Sequence, residues 1–548
     1  MFCVSSTETP APTARQGARP TWLDSIDHAY TDTVLRARLL GEKLPTQRWE
    51  WILILAVAAV AALLRFHRLD HPHKLIFDET YYVKDAYSLL HFGVEMEWEE
   101  DINDAFIAGE AEPLNEPAYV VHPPLGKWLI GLGMLLFGSD NGFGWRFSSA
   151  MVGTLSVLIL SLIAWKIFHS SFLGATAGLL MAVDGHHLVM SRTGLLDIFL
   201  SFFVLAGFGA LVLDRDHGRR QLADTISSAY RSGTLSQVLG YGPMIWWRPW
   251  RIVAGILLAA GCSVKLSGLA FVAIFGLMTV FWDLNARRVV GIRRWALGGI
   301  LRDGLWAFVC VVGVGFLTYL ATWTGWFVSS RGYHRHWAED NPAESWLGSL
   351  IPDTLRSWFH YHRASTDFHT GLDSGHNYAS SPWTWPFMGR PVSFHYESTD
   401  DGSGDCGAAH CSEAILDLAN PILWWSGTVA IIILTVVWFA KRDWRVGAIL
   451  GAYVAGQLVW VLWPERTMFF FYTIAYEPFL ILAIVYCLGW LLRWETGHNP
   501  RAKTRNLVIV LGYILVIMLV SAFFMPIWTA EEIPYDQWRW RMWIQSWI

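Results

Sequence analysis

Apolar runs of membrane-spanning length recur along the chain, separated by short charged turns and by two long polar stretches. A helix needs roughly 20 apolar residues to cross about 30 Å of hydrocarbon, with a lower limit near 17. That yardstick predicts eleven spans, near residues 50–66, 146–167, 171–190, 194–213, 249–264, 267–283, 303–323, 422–440, 446–463, 468–491 and 506–526. A further apolar stretch, 124–137, is shorter and contains Gly126, Lys127, Gly131 and Gly133. It fits either another span or a helix lying flat in the interface. Lys and Arg concentrate in cytoplasmic loops. With 124–137 lying flat, Arg215, Arg219 and Arg220, then Arg287, Arg288, Arg293 and Arg294, then Lys441 and Arg442 all fall on one side. Counting it as a span would move the first two clusters to the other side. The flat reading is therefore expected.

This orientation divides the chain into four parts. Residues 1–50 read as a polar cytoplasmic tail with a short amphipathic helix around 34–44 and no cleavable signal peptide. Residues 51–324 form a membrane module whose first outer loop, 67–123, holds thirteen Asp or Glu residues. Residues 325–421 form an extracytoplasmic loop with eight of the nineteen His and many aromatics. Residues 422–548 form a C-terminal four-helix membrane module with an outer Trp-rich tail. Loops so long are functional or folded in their own right. The chain has no internal repeat, which weighs against a transporter built from inverted halves.

Composition agrees with the pattern. Of 548 residues, 53% are hydrophobic and 16% charged, and mean hydropathy is +0.33. Soluble domains run about 45–50% apolar and about 25% charged, so a water-soluble enzyme is excluded. A net charge of −5 gives no reason to expect nucleic acid as a partner. Thirty-three Trp fit aromatic belts at the membrane–water interfaces. Six Cys are too few for a disulfide scaffold. Cys406 and Cys411 lie in the second outer loop, where an oxidising compartment favours a local disulfide over reduced thiols; a zinc site with His410 ranks third.

Candidate chemistry gathers at the outer ends of the spans. Asp78 and Glu79 are adjacent carboxylates just after the first span, able to supply a general base beside a second charge that raises its pKa. His122 opens the flat segment, and Arg146 sits at the outer end of the second span, where a membrane-held phosphate would lie. Arg binds phosphate oxygens through a planar fork, although a snorkelling role also fits the position. Asp184, Arg192 and Asp197 surround the outer turn between the third and fourth spans, and Lys265 the next outer turn. Ionisable groups at membrane depth are costly and point to function.

The ordered set resembles the GT-C glycosyltransferases. It comprises Asp78-Glu79, His122-Pro123-Pro124, Trp145-Arg146-Phe147 and Ser191-Arg192 through Leu195-Leu196-Asp197. Within that superfamily, Trp246-Trp247, Lys265, His376 to Pro386, Asn420 to Trp425 and Pro464 to Tyr472 resemble the protein O-mannosyltransferases. The resemblance implies an all-α polytopic membrane protein of GT-C type with two large extracytoplasmic loops. It also implies transfer of mannose from polyprenyl-phosphate mannose to Ser or Thr of acceptor proteins, during their translocation or after it. Eukaryotic members carry a β-trefoil domain in the second loop, for which residues 325–421 leave no room, so the chain resembles the bacterial form of the plasma membrane.

The chemistry requires a base for the hydroxyl and cations for the departing phosphate. Asp78 is the expected base, with Glu79 orienting the acceptor or sharing the proton. Arg146, Lys265 and Arg466 are expected on the phosphate, with His376 and Tyr378 lining the donor site. His122, Arg192 and Asp197 are secondary candidates. A single base with no covalent partner implies one inverting displacement. No cofactor and no metal are expected, although Asp78, Glu79, Asp184 and Asp197 offer oxygens to a divalent ion. Two other readings share part of this inventory: a GT-C enzyme acting on a glycolipid or polysaccharide, and, more remotely, a secondary transporter.

Overall fold

The computed structural model of the protein describes residues 29–41, 47–119, 121–400, 402–493 and 500–548. A short helix, α1 (Asp32–Leu40), stands where the amphipathic segment was expected; residues 42–44 of that segment and the tail before residue 29 lie outside the described residues. The membrane module then contains α2 (Arg48–Phe66), α3 (Glu79–Phe92), α4 (Leu125–Phe137), α5 (Gly142–Phe168), α6 (Ser171–Val183), α7 (Gly185–Ser191), α8 (Asp197–Arg231), α9 (Pro249–Cys262) and α10 (Gly268–Val289). A span with two π-helical turns follows, α11 (Trp295–Thr322). After it come α12 (Asp353–Gly371), α13 (Pro421–Lys441), α14 (Trp444–Val461), α15 (Glu477–Arg493) and α16 (Pro500–Phe524).

Among the described residues eight helices are long and apolar enough to cross a membrane: α2, α5, α8, α10, α11, α13, α14 and the α16 segment. Three of the eleven expected spans take other forms. The 171–190 segment is bent by 66° between α6 and α7. Asp184 causes the break: it ends one helix and caps the next, accepting the His186 and His187 N–H groups at 3.0 and 3.4 Å. The 249–264 segment is helical over only 14 residues. The 468–491 segment begins as a 3₁₀ turn, Phe470–Ala475, and becomes α-helical at Glu477. Pro478 is compatible with the first turn of a helix and not with its interior, which fixes that start.

The short helix α4 does not run from one end of the bundle to the other. Leu125 at its start donates its N–H to the Ser263 carbonyl at 3.1 Å, beyond the end of α9. Immediately after its end, Gly142 donates to Asp70 Oδ1 at 2.5 Å, beyond the end of α2. Both anchors lie at the end of the bundle that carries Glu79, Asp197 and Lys265. Small residues let α4 close against α5: a Cβ on Gly133 would stand 2.4 Å from the Gly144 carbonyl oxygen. The opposite end of the bundle carries α1, which packs on the far half of α8.

The second long loop and the C-terminus add a small antiparallel sheet to the otherwise helical described residues. Strand β1 (Val392–Thr399) pairs with β2 (Cys411–Asp417), with Val392 opposite Asp417 and Thr399 opposite Cys411. The C-terminal β3 (Ile533–Pro534) pairs with the start of β2. Cys406 and Cys411 are joined by a disulfide at the edge of this sheet. The sheet brings Phe394 and Asp417 against the membrane module.

The break at Asp184 also allows close packing. A Cβ on Gly185 would stand 2.0 Å from the buried Trp528 ring and 2.4 Å from the Leu418 carbonyl. Gly185→Ala is therefore expected to destabilise the fold by about 1–3 kcal/mol, as overpacking does. Gly276→Ala in α10, where nothing lies within 4 Å, should be neutral or slightly stabilising. Thermal unfolding of the two variants in detergent, followed by Trp fluorescence, checks the contrast.

Candidate active site

The site is built around a strained turn. Phe77 adopts φ +49°, a left-handed conformation that bulky residues avoid. Its ring is stacked on Phe394 of β1, with centroids 4.6 Å apart, and stands edge-on to Phe471 at 5.7 Å. Strain of this kind costs of order 1–3 kcal/mol and persists only where its surroundings fix it. Here the fixed turn starts α3 and sets the directions of Asp78 and Glu79.

The two carboxylates have opposite fates. Glu79 is fully buried and accepts four hydrogen bonds. Arg146 donates Nε to one oxygen and Nη2 to the other, both at 2.8 Å. The N–H groups of Gly194 and Ile76 complete the set at 2.7 and 3.1 Å. Asp78 is half-buried, and among the described residues its carboxylate has no hydrogen bond or ion pair. Burial pushes the Asp78 carboxyl up to about 6; the Lys265 charge opposes this rise and the Asp197 charge adds to it. Asp78 is thus an unengaged carboxylate with a pKa shifted toward neutrality, the condition a general base requires.

Arg146 does not fill the phosphate-binding role expected from the sequence. Its remaining donors reach the carbonyls of Leu69, Pro72 and Lys74 at 3.2, 3.0 and 2.9 Å. With the two bonds to Glu79, all five N–H groups of the guanidinium are used, and the residue locks the first outer loop to α5. Arg192 is likewise engaged by backbone. It donates to the carbonyls of Leu64, Arg65, His67 and Arg68, neutralising the C-terminal end of α2.

The other two cations approach one aromatic ring. Lys265 donates to both oxygens of Asp197, at 2.8 and 3.0 Å. Its Nζ lies 4.3 Å from the centroid of the Tyr472 ring. Arg466 approaches the same ring, with Cζ 5.7 Å from the centroid. Arg466 donates Nε to the His369 carbonyl at 2.8 Å, while its Nη1 is buried without a hydrogen-bond partner among the described residues. Unlike Lys265, it has no carboxylate partner among them. His122 stacks on His369 with centroids 4.9 Å apart. Burial holds His122 well below its ordinary pKa, with the Lys265 charge adding to the effect. Burial also lowers His369 to about 4, partly offset by its bond to the Val121 carbonyl and reinforced by Arg466. Both imidazoles are neutral at pH 7, so the positive charge here rests on Arg466 and Lys265.

The structure also joins the two late sequence motifs. Ser380 donates its N–H to the Met468 carbonyl at 2.8 Å, and Thr467 donates to the Leu372 carbonyl at 2.9 Å. His376 and Tyr378 therefore lie beside Phe469 at the rim, His376 exposed and Tyr378 half-buried. Trp246 and Trp247 lie far from this group, at the opposite end of the bundle beside Trp306 and His217. Asp184 is committed to capping α7 and to the Asn420 N–H at 2.8 Å. Among the described residues, no three His, Cys, Asp or Glu side chains are grouped so as to hold a metal ion.

Two parts of this framework escaped sequence reasoning. His369, which connects Arg466 to His122, sits in an ordinary polar helix with no distinguishing local signal. Asp417 pairs with His186 at 2.7 Å, both fully buried, across a sequence separation that no local pattern reports. The positions of Phe471 and Tyr472 within a recognised motif were visible, but their contacts with Phe77 and Lys265 were not.

Comparison with known proteins identifies the family. A family model described as dolichyl-phosphate-mannose-protein mannosyltransferase matches residues 55–225, and one described as the C-terminal four TMM region of protein-O-mannosyltransferase matches residues 354–547. The polyprenol-phosphate-mannose–protein mannosyltransferase of Mycolicibacterium smegmatis is 36% identical over 512 residues, covering 91% of this chain and 93% of its own. That of Mycobacterium tuberculosis is 35% identical over 507 residues, covering 91% and 92%. Among solved structures, the S. cerevisiae protein O-mannosyltransferase Pmt1–Pmt2 complex bound to the sugar donor superposes with a TM-score of 0.67 at 14% identity, covering 95% of each chain. At that identity the likeness is one of fold.

The buried Glu79–Arg146 pair yields a test of its structural role. Removing one partner of such a pair strands the other charge and costs about 3–5 kcal/mol. Arg146→Gln and Glu79→Gln are both expected to reduce the yield of folded, detergent-extracted protein. Arg146→Lys should recover part of it, since Lys keeps the charge and loses the fork. In whatever fraction folds, donor affinity should be close to that of the unaltered protein.

Proposed function

Because the chain belongs to the protein O-mannosyltransferase family, we propose that it transfers mannose from polyprenyl-phosphate mannose to Ser or Thr hydroxyls of proteins, at the extracytoplasmic end of the bundle. Membership in this family displaces the glycolipid and transporter readings. The assignment of roles rests on one contrast: Glu79 is saturated by Arg146 and backbone N–H groups, whereas its neighbour Asp78 has no partner among the described residues.

In the proposed reaction Asp78 accepts the proton of the acceptor hydroxyl as its oxygen attacks C1 of mannose. The C1–O bond to phosphate breaks, and polyprenyl phosphate departs with the bonding electrons. Arg466 and Lys265 hold the phosphate and stabilise the charge that develops on it. The unpartnered Nη1 of Arg466 supports that role, and Tyr472, shared by both cations, sets their separation. Asp197 positions Lys265. Glu79 and Arg146 keep the turn that aims Asp78, a positioning role in place of phosphate binding. His376 and Tyr378 border the donor site from the rim. One base and one displacement lead to inverted configuration at C1. The reaction draws its charge stabilisation from these side chains and invokes no metal.

Asp78→Asn keeps the shape of the side chain and removes its basicity. It is expected to slow transfer about 10²-fold or more, the usual scale for a positioned base, with donor binding unchanged. With the Asp78 carboxyl near 6, the base is protonated and inactive at lower pH. The transfer rate should therefore fall about tenfold per pH unit below about 6, and level off above it. Labelled polyprenyl-phosphate mannose and a Ser/Thr-rich peptide, assayed across pH, check both. Near-normal turnover by folded Asp78→Asn protein would move the base elsewhere.

The orientation has its own test. Cysteines introduced at Gly109 and Ser374, both exposed near the site, should react in intact cells with an impermeant maleimide. A cysteine at Ser232, exposed at the far end of α8, should react only after the membrane is opened. Labelling of Ser232 from outside would invert the proposed orientation.

A further inference from the structure

A large cavity lies away from the proposed catalytic site, at the end of the bundle opposite Asp78. It has a volume of about 900 Å3 and is enclosed by α1, the C-terminal end of α5, the middle of α8, α10 and the turn between α13 and α14. Seven Lys and Arg residues line it: Arg38, Lys166, Arg215, Arg219, Lys441, Arg442 and Arg445. Among the described residues two carboxylates line it with them, and both are already engaged. Asp216 accepts Lys166 at 2.6 Å and Arg215 at 3.0 Å, and Asp443 accepts Arg445 at 2.5 Å.

The remaining charge is uncompensated where compensation matters most. Arg219 is 6% exposed and pairs with the Leu39 carbonyl and Asn285 Oδ1, with no carboxylate partner among the described residues. The Nε atoms of Arg215 and Arg219 are both buried without a hydrogen-bond partner among them. A buried cation without a counter-ion is costly, and seven cations against two carboxylates among the described residues leave room for an anion. Arg215 is held flat over the Trp444 ring, with Cζ 3.7 Å from its centroid, so its fork is preorganised.

The opposite wall is apolar. Val212, Ile274, Leu277, Met278 and Phe281 line it, and Leu277 and Phe281 remain 57% and 63% exposed. A small soluble anion would use the cations and leave this wall unused. We propose that the cavity binds the phosphate head group of an anionic membrane lipid, with an acyl chain lying along the α10 wall. Basic pockets between membrane helices hold lipid phosphates by the same combination of charge and apolar contact. The site is separate from the donor site and does not depend on the roles assigned there. It uses Arg215 and Arg219 of α8, the helix that carries Asp197 at its other end.

Purified full-length protein in a neutral detergent, unfolded by heating while Trp fluorescence is followed, tests this. Dioleoylphosphatidylglycerol should raise the unfolding midpoint by a few degrees, as a ligand of the native state does. Dioleoylphosphatidylcholine and glycerol 3-phosphate should not. Lys441→Gln/Arg442→Gln removes two exposed cations and should leave folding intact. It is expected to raise the phosphatidylglycerol concentration needed for half the shift about tenfold, the weight of one good charge-assisted contact. Arg219→Gln should do the same or more if it folds. The absence of a shift with phosphatidylglycerol overturns the proposal. So does an equal shift with phosphatidylcholine, which would reflect apolar contact alone, or with glycerol 3-phosphate, which would mark a soluble-anion site. An unchanged response in the Lys441/Arg442 variant overturns it as well.

Discussion

A carboxylate withdrawn from water inside a membrane protein must be neutralised, and the Glu79–Arg146 pair is where this constraint shapes the catalytic end of the molecule. The pair binds three segments at once. Glu79 opens α3 and takes the Gly194 N–H at the approach to α8, while Arg146, from α5, takes three carbonyls of the loop after α2. None of these contacts has a substitute in hydrocarbon, where an unmet polar group costs several kcal/mol. The start of the first long loop, from Leu69 to Glu79, is therefore held firmly. That firmness is what the proposed base needs, because Asp78 can stay without a partner only if its backbone is fixed by something else.

The helix α8 links this end to the other. At 35 residues and 1.5 Å per residue it is roughly 52 Å long, well beyond the hydrocarbon thickness. It carries Asp197, partner of Lys265, at its first turn, and Asp214, Arg215 and Arg219 in its far half. There Asp214 and Asp283 neutralise Arg248 and Arg251 through a compact set of buried pairs. The charges of the two ends are thus organised differently. The far end has closed pairs beside a cation-rich cavity, and the end bearing Asp78 has the closed Glu79–Arg146 and Lys265–Asp197 pairs beside the unpaired Asp78 carboxylate and the unmatched Nη1 of Arg466 among the described residues.

Much of the plan was legible in the chain. Eight of the eleven apolar runs of membrane length form helices long enough to span, because hydrocarbon admits little else. Loop charge placed 124–137 across one end of the bundle, and Leu125 and Gly142 are both anchored at that end. The gathering of Asp78, Lys265, Asp197 and Arg466 followed from their positions at successive span ends. The exceptions are local: Asp184 breaks a long apolar run because its side chain caps a new helix better than it tolerates the interior of the old one, and Pro478 delays α15.

By itself the sequence determined the helical, multi-span membrane character of the chain and its family. Only the tertiary structure decided which charged group is free to act. Asp78 and Glu79 are adjacent and chemically alike, and at a helix start successive side chains point about 100° apart. One turns inward to Arg146 and the other toward Lys265 and Asp197. Arg146 and Arg466 are equally strong phosphate ligands as residue types. All five donors of Arg146 are consumed by groups far away in the chain, whereas one nitrogen of Arg466 is left over. A residue's type is local information, but the number of its hydrogen bonds still unmade depends on partners brought together only by folding.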